Sequence, residues 1–299
     1  MSPFGNPLPE SAYLRLVEHR RKMRLHTYHA DLPLVLFITF SRIAAGLSLV
    51  SIFIPLSFLW SGIAFGCMIL ATTASIAHLN VPLRFLTMIR NNRSFLVLEV
   101  RLAGALTALL GLQLLLHFGY FQGFQTLLAW AGFFLSGLFL ISTGWAYRFD
   151  THPAWKSPIL PAYYFASAFM AGFVFHLGDH PFFMLPFIFT MLLLSKGFLL
   201  ILYRNHLKVT SSTALERILS GNEKWTFLAF LWSVFILPGL LILTLLLEGP
   251  AAWMVIVMMA SSVSGILLER VLFFRVERPV FFHSFIKNPD PNGQGWVRG

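Results

Sequence analysis

The sequence predicts an all-α, polytopic membrane protein, a bundle of eight transmembrane helices with a basic N-terminal interfacial helix. Hydrophobic residues make up 57% of the 299 residues and charged residues only 11%, whereas a soluble domain has about 25% charged residues. The apolar residues occur in runs of about 20, the length that an α-helix needs to cross the hydrocarbon core. The net charge of +10 comes from Lys and Arg beside these runs, so it indicates membrane topology rather than nucleic-acid binding.

The first 32 residues form a basic arm. From Ser11, the segment SAYLRLVEHRRKMRLHTY places apolar side chains among Arg and Lys residues, which is typical of a helix lying on the membrane surface. A helix held by a partner subunit would show the same pattern, and the sequence does not separate the two. The first 30 residues lack an apolar segment followed by a cleavage site, so we expect no signal peptide.

Residues 33–274 form the predicted transmembrane domain, and residues 275–299 form a C-terminal tail. Turns at Pro55, His180–Pro181 and Gly249–Pro250 separate successive apolar runs. An even number of spans places both termini on one side of the membrane. The predicted spans are 33–54, 57–79, 95–117, 125–147, 158–178, 181–203, 225–247 and 250–273.

The connections between these spans differ sharply in charge. The N-terminal arm, the C-terminal tail and the loops 80–94, 148–157 and 204–224 hold nearly all the Lys and Arg, and the opposite loops hold none. By the positive-inside rule the basic face is cytoplasmic, with both termini. A partner subunit docked on that face is the other explanation for the charge.

Cysteine and histidine usage limits the cofactors. Cys67 is the single cysteine, so this chain has no internal disulfide and no Cys-based zinc or iron–sulfur site. Haem bound by two histidines needs imidazoles at matching depth on facing helices, but His78 is at the basic end, and His117 and His176 are at the far end. The pair of His176 and His180 lacks a third ligand. We therefore expect no haem and no metal.

Several Arg, Lys and Glu residues fall inside the predicted spans, where a charge is costly and marks a candidate functional site. All of them lie in the half of the membrane nearer to the basic face, so together they predict a one-sided polar layer. Taken singly, each is more often a snorkelling side chain or an interhelical ion pair than a reaction centre. The residues of this layer are Arg42, Glu99, Arg101, Lys196, Glu269 and Arg270.

The most informative stretch is Ala74–Arg101, where one apolar helix ends, a short basic loop crosses and the next helix begins. It brings His78, Arg84, Glu99 and Arg101 to one membrane boundary. Glu99 is expected about one and a half turns inside the third span, where a carboxyl can exchange protons with a quinol hydroxyl. A structural ion pair between helices is the other interpretation, and the residues alone favour neither.

Residues 78–99, HLNVPLRFLTMIRNNRSFLVLE, resemble the pattern H-L-G-x-P-x-R-A followed by S-[WA]-L-x-x-E of the DmsC family, the membrane anchor subunits of dimethyl sulfoxide reductase-type molybdenum enzymes. Asn80 stands where that pattern has Gly. Three further stretches are similar to the family in the same order, so the resemblance extends from Asp31 to about Phe274. These stretches are DLPLVLFITFSRIAAG, YRFDTHPAWKSPILPAYYFASAFMAG and GILLERVLFF.

The resemblance implies a quinol-binding anchor with eight helices and no haem in a bacterial inner membrane, as in anaerobic respiration. It also implies a partner subunit with four [4Fe–4S] clusters and a catalytic molybdopterin subunit. The motif His and Glu, associated in the family with menaquinol or ubiquinol binding and oxidation, fall on His78 and Glu99. Arg84 and Arg101 would set the local potential. The chain would be a quinone-site or non-catalytic subunit of the oxidoreductase.

A transporter or channel is the alternative function, with the polar layer as its substrate site. Helices broken at mid-depth and polar groups in both halves of the membrane would favour it.

Overall fold

The computed structural model describes residues 32–77, 95–117, 122–147, 153–177, 184–221, 223–248 and 251–276, and every regular element in these ranges is helical. Seven helices in these ranges are long and apolar enough to cross a membrane. The chain is therefore a multi-pass membrane protein built from α-helices. The predicted interfacial helix of the N-terminal arm and residues 277–299 of the predicted C-terminal tail lie outside the described residues, whereas Arg275 and Val276 belong to the last helix.

The helices are numbered in chain order. A π-helical turn at Trp232–Ile236 joins α8 to α9, which together form one membrane span. The bounds are α1 Leu32–Val50, α2 Phe58–Ala77, α3 Phe95–Leu116, α4 Gln122–Ala146, α5 Leu160–His176, α6 Met184–Thr210, α7 Ser212–Leu219, α8 Lys224–Leu231, α9 Leu237–Glu248 and α10 Ala252–Val276.

The predicted span 158–178 corresponds to α5, which has only 17 residues and is not among the seven long apolar helices. The count of eight spans is therefore not confirmed. A 3₁₀ turn at Pro153–Trp155 precedes the helix, and Pro161 lies in its first turn, a position that tolerates the missing N–H group. Most α5 residues are buried, because the helix is apolar on all sides and other helices surround it.

Glycine allows α1 to lie directly against α5. A Cβ atom built on Gly46 would collide with the carbonyl oxygen of Ala168 and would lie 3.0 Å from the backbone nitrogen of Gly172. A Cβ atom on Gly172 would collide with the carbonyl oxygen of Gly46. Such contacts between small residues let membrane helices approach closely and gain packing energy. This close contact places α1 beside the central helix.

The π-helical turn has a local cause and a tertiary partner. Pro238 has no N–H group to donate into the helix, and the backbone N–H of Leu237 donates to the carbonyl oxygen of Trp232, one residue further back than in an α-helix. The carbonyl oxygen of Ser233 instead accepts a hydrogen bond of 2.5 Å from the Ser261 hydroxyl on α10. The irregular turn is thus stabilised by a neighbouring helix.

The predicted basic loop 204–224 is largely helical, because α6 continues to Thr210 and α7 follows at Ser212–Leu219. The length of a hydrocarbon core predicts where a helix leaves lipid, but it does not predict where the helix ends. In α7, Ala214 is buried and Glu216 is exposed. This short amphipathic helix therefore covers the basic end of the bundle between α6 and α8.

Candidate functional site

Three cationic residues of the predicted polar layer converge on the carboxylate of a fourth, Glu269. Arg42 of α1 donates through Nη1 to Glu269 Oε1, and Arg270 Nη2 donates to the same oxygen at 2.5 Å. Lys196 Nζ of α6 lies 3.1 Å from Oε2, and the Ser167 hydroxyl of α5 donates to Oε2 at 3.2 Å. Glu269 therefore joins α1, α5, α6 and α10.

Two tyrosines of α5 complete this cluster. The guanidinium carbon of Arg42 lies 3.7 Å from the ring centroid of Tyr164, and that of Arg270 lies 4.3 Å from it. Arg270 Nη1 also donates to the Tyr164 hydroxyl oxygen. Lys196 Nζ lies 5.4 Å from the ring centroid of Tyr163. The aromatic faces attract cations that have lost their hydration.

The cluster holds more positive than negative charge. Arg42, Lys196 and Arg270 are three cationic side chains, and Glu269 is the carboxylate that all three contact. All four side chains are buried. Removing one partner from a buried ion pair costs about 3–5 kcal/mol, because the other charge stays behind. The carboxylate is therefore the group on which the cluster depends.

Glu99 lies apart from this cluster, near the start of α3. Its side chain is 1% exposed, and neither carboxylate oxygen has a hydrogen-bond partner among the described residues. Thr143 of α4 lies beside it, but the Thr143 hydroxyl donates to the carbonyl oxygen of Phe139 at 3.0 Å. Burying a carboxyl without a hydrogen-bond partner costs free energy, so Glu99 is a candidate ligand-binding residue.

The other residues predicted beside Glu99 are placed differently. Arg101 is exposed on α3 while Glu99 is buried, because residues two positions apart point to different faces of a helix. His78 and Arg84 lie outside the described residues. Helix α2, which ends at Ala77, packs against α3.

Tyr147 lies close to both Glu99 and the charged cluster. It interacts electrostatically with Glu99 and with Tyr164 and Arg270. Its ring packs edge-on against Phe273, with 6.2 Å between centroids. The Tyr147 hydroxyl is buried and has no hydrogen-bond partner in the described ranges. A second buried polar group therefore lies close to Glu99.

The histidines do not form a metal centre in the part of the chain that the structure describes, where no group of three or more His, Cys, Asp or Glu residues could hold a metal ion. His117 Nε2 lies 2.9 Å from the Ser61 hydroxyl oxygen, and its ring packs edge-on against Phe58. His176 is buried at the end of α5. His117 is therefore already engaged with α2.

Sequence reasoning missed the tyrosines. Tyr147, Tyr163 and Tyr164 are amphipathic residues that are common in apolar membrane segments, so none of them stands out as an ionisable group. The available signal was the pair Tyr163–Tyr164 in the first turns of the fifth apolar run, at the depth of the polar layer. Buried tyrosines usually have a hydrogen-bond partner, and this pair predicts polar groups on facing helices.

A scan against protein-family models finds no match to this sequence, and a search of curated proteins finds no significant relative.

Proposed function

We propose that this chain is a quinone-binding membrane anchor subunit of a multi-subunit oxidoreductase. The observation that carries the proposal is Glu99, a buried carboxyl with no hydrogen-bond partner among the described residues. Its position matches the motif carboxylate of the DmsC family in the resemblance described above. A buried carboxyl near one end of a transmembrane bundle is a candidate functional group. In this proposal it exchanges protons with the quinol.

In this proposal the groups around Glu99 bind the oxygens of a quinol head group. Quinol oxidation releases two protons and two electrons, and quinone reduction takes up the same numbers. Glu99 accepts a proton from a quinol hydroxyl in one direction and returns it in the other. The Tyr147 hydroxyl can donate a hydrogen bond to a ring oxygen, and His78 would hold the opposite oxygen. Arg84 and Arg101 would add positive potential at this end.

The electrons require a partner in this proposal, because the single cysteine of this chain cannot hold an iron–sulfur cluster. The proposed partner is a ferredoxin-like subunit with four [4Fe–4S] clusters, docked on the basic face, which connects to a catalytic molybdopterin subunit. The proposed setting is a bacterial inner membrane with the basic face and both termini in the cytoplasm. The quinone would be menaquinone or ubiquinone.

The described helices offer little support for a transport path. Glu99 and Gln113 lie on the buried face of α3, and the buried residues between them are Ala103, Leu106 and Leu110. A path for ions or protons along this face would cross about three turns of apolar side chains. The π-helical turn on the opposite side of the bundle is closed by the hydrogen bond from Ser261. A proton-exchanging site at one end agrees better with this arrangement.

The test is Glu99→Gln in the complete complex, because glutamine keeps the shape of the side chain and removes its exchangeable proton. We expect normal subunit stoichiometry, because no described cation loses its counter-ion. Turnover with a quinol analogue should fall at least a hundredfold, which is the lower end of typical general-base contributions. Turnover with an artificial donor that feeds the partner subunits directly should remain normal.

Glu269→Gln is the matched control, because it removes a carboxylate that three cations contact. This variant should lose assembly and both activities together. If the Glu99→Gln complex assembles and reacts with quinol at the wild-type rate, the role of Glu99 is refuted. Failure of Glu99→Gln to assemble, with the same behaviour as Glu269→Gln, would instead identify Glu99 as a structural residue.

A further inference from the structure

A cavity of about 330 Å³ lies between α5, α6, α7, α8 and α10. Its walls are mainly leucine, isoleucine and phenylalanine side chains, with Leu200, Ile218 and Phe227 on three of the helices. The cavity reaches Tyr163, Glu269 and Arg270. Its volume is in the range of small-molecule sites, which are mostly apolar and have a few polar groups that orient the ligand.

The polar end of the cavity has hydrogen-bond donors without acceptors. Arg270 is 1% exposed and Tyr163 is 5% exposed, and both line the cavity. The Arg270 Nε atom has no hydrogen-bond partner in the described ranges, and the Tyr163 hydroxyl lies beside Glu269 without a hydrogen bond of acceptable geometry to it. Both oxygens of Glu269 are already engaged by Arg42, Arg270, Lys196 and Ser167. A fitting ligand would therefore accept hydrogen bonds at this end.

The other residues that line the cavity indicate how a ligand would be oriented in it. Arg204 is an exposed cavity residue on α6, eight residues beyond Lys196, which corresponds to about 12 Å along the helix. Leu200 and Ile201 form the apolar wall of α6 between these two levels. A phospholipid would place its phosphate at Arg204 and a chain end against Tyr163 and Arg270, which would leave both donors unpaired. A flat ring with carbonyl oxygens would pair them, and its hydrocarbon tail would extend toward the opening.

We propose that this cavity binds the ring of an isoprenoid quinone, with the Tyr163 hydroxyl and the Arg270 Nε–H donating to a ring carbonyl oxygen. The site is separate from the surroundings of Glu99, which does not line the cavity. The inference rests on the proposed function for the identity of the ligand, and it adds a second binding position, which borders the charged cluster at Glu269 and Arg270.

The experiment is photolabelling of the full-length protein in lipid nanodiscs with an azido derivative of the quinone, followed by peptide mapping. In the wild-type protein we expect labelled peptides from α6 and α8. Leu200→Phe narrows the cavity and should reduce this labelling at least tenfold. Tyr163→Phe removes one donor and should weaken quinone competition about tenfold. Leu194→Phe is the matched control, because Leu194 is 61% exposed on the same helix and should leave labelling unchanged.

The outcomes separate this inference from the proposed function. Labelling of α6 and α8 that persists in Glu99→Gln and disappears in Leu200→Phe supports the second site. Labelling confined to α3 and lost in Glu99→Gln overturns the second site and leaves the proposed function intact. Labelling of the cavity by a photoreactive phospholipid, with none by the azidoquinone, also overturns it. Absence of specific azidoquinone labelling anywhere counts against both proposals.

Discussion

Lys196 of α6 and Glu269 of α10 approach within 3.1 Å, Nζ to Oε2, where both side chains are buried. Two arginines contact the other oxygen of the same carboxylate. The cluster has a net positive charge. Removing one cation lowers this charge, whereas removing the carboxylate raises it. This asymmetry allows the cluster to be tested by single substitutions.

Glu269→Gln should destabilise the protein far more than Lys196→Met. The first change leaves three buried cations without their carboxylate, with an expected loss of about 3–5 kcal/mol. The second leaves Glu269 with Arg42 and Arg270 and removes a charge that is costly to bury, so we expect a loss of about 1 kcal/mol or less. Unfolding of the detergent-solubilised protein by sodium dodecyl sulfate, followed by far-UV circular dichroism, gives the comparison.

Glu223→Gln provides a control with the same chemical change. Glu223 Oε2 lies 3.7 Å from Arg275 Nη1, and the Arg275 side chain is 39% exposed, so solvent screens the pair and its loss should cost under about 1 kcal/mol. Equal losses for Glu269→Gln and Lys196→Met would show that the carboxylate does not organise the cluster.

Much of the fold could be predicted from the sequence, because lipid imposes length and polarity on each helix. The predicted spans overlap all the long apolar helices. The prediction was least informative at α5 and α6, where the length of the helix differs from the length of the predicted apolar span. Helix α5 is short and surrounded by other helices, and α6 continues beyond the apolar run to Thr210. Neither property can be inferred from hydropathy, which indicates whether a segment prefers an apolar environment. It does not indicate which helices pack around that segment.

The site was predicted only in outline. The shared depth of Arg42, Lys196 and Glu269 predicted a polar layer, but depth does not give the rotation of a helix about its axis. The structure brings these residues together and leaves Glu99 apart from them. Rotation also separates Glu99 from Arg101, since one is buried and the other exposed. Positions on different helices meet only after packing has fixed every rotation, which one sequence does not specify.

Gly172→Ala should disrupt the contact between α1 and α5. The added methyl group would collide with the carbonyl oxygen of Gly46 and lie 2.9 Å from a side-chain carbon of Val50. Backbone atoms cannot move aside without shifting a helix, so we expect a loss of about 1–3 kcal/mol. Gly104→Ala is the control, because no atom lies within 4 Å of a Cβ built there. It should be neutral or slightly stabilising, since alanine favours helix. A stable Gly172→Ala protein would contradict the close packing.

The purified subunit should contain no haem. The sequence predicts His78 at the basic end and His117 and His176 at the far end, and His117 is hydrogen-bonded to Ser61 at 2.9 Å. Haem held by two histidines would need a second imidazole facing the first. The measurement is an absorption spectrum of the dithionite-reduced protein, with a pyridine haemochrome assay for quantity. Stoichiometric b-type bands would refute the prediction, and His117→Ala would then test whether this residue is a ligand.

The basic end of the bundle should face the cytoplasm. The predicted connections 80–94, 148–157 and 204–224 are rich in Lys and Arg, whereas those near 55–56, 118–124, 179–181 and 248–250 contain none. Translocation of short positively charged loops is unfavourable, so this bias orients the whole bundle. A reporter fused after Gly299 should be active only in a form that works in the cytoplasm, and one inserted at 249–250 should be active only in the periplasm.

Replacing the basic residues of one loop tests the cause as well as the orientation. If these charges determine the orientation during membrane insertion, neutralising Lys and Arg in the segment 80–94 should produce a mixed population in which both reporters are active. If a docked partner explains the charge instead, the same variant should keep its orientation and lose only the partner subunits during purification. Alkaline phosphatase activity after Gly299 in the unmodified protein would reverse the proposed topology and place the surroundings of Glu99 at the periplasmic side.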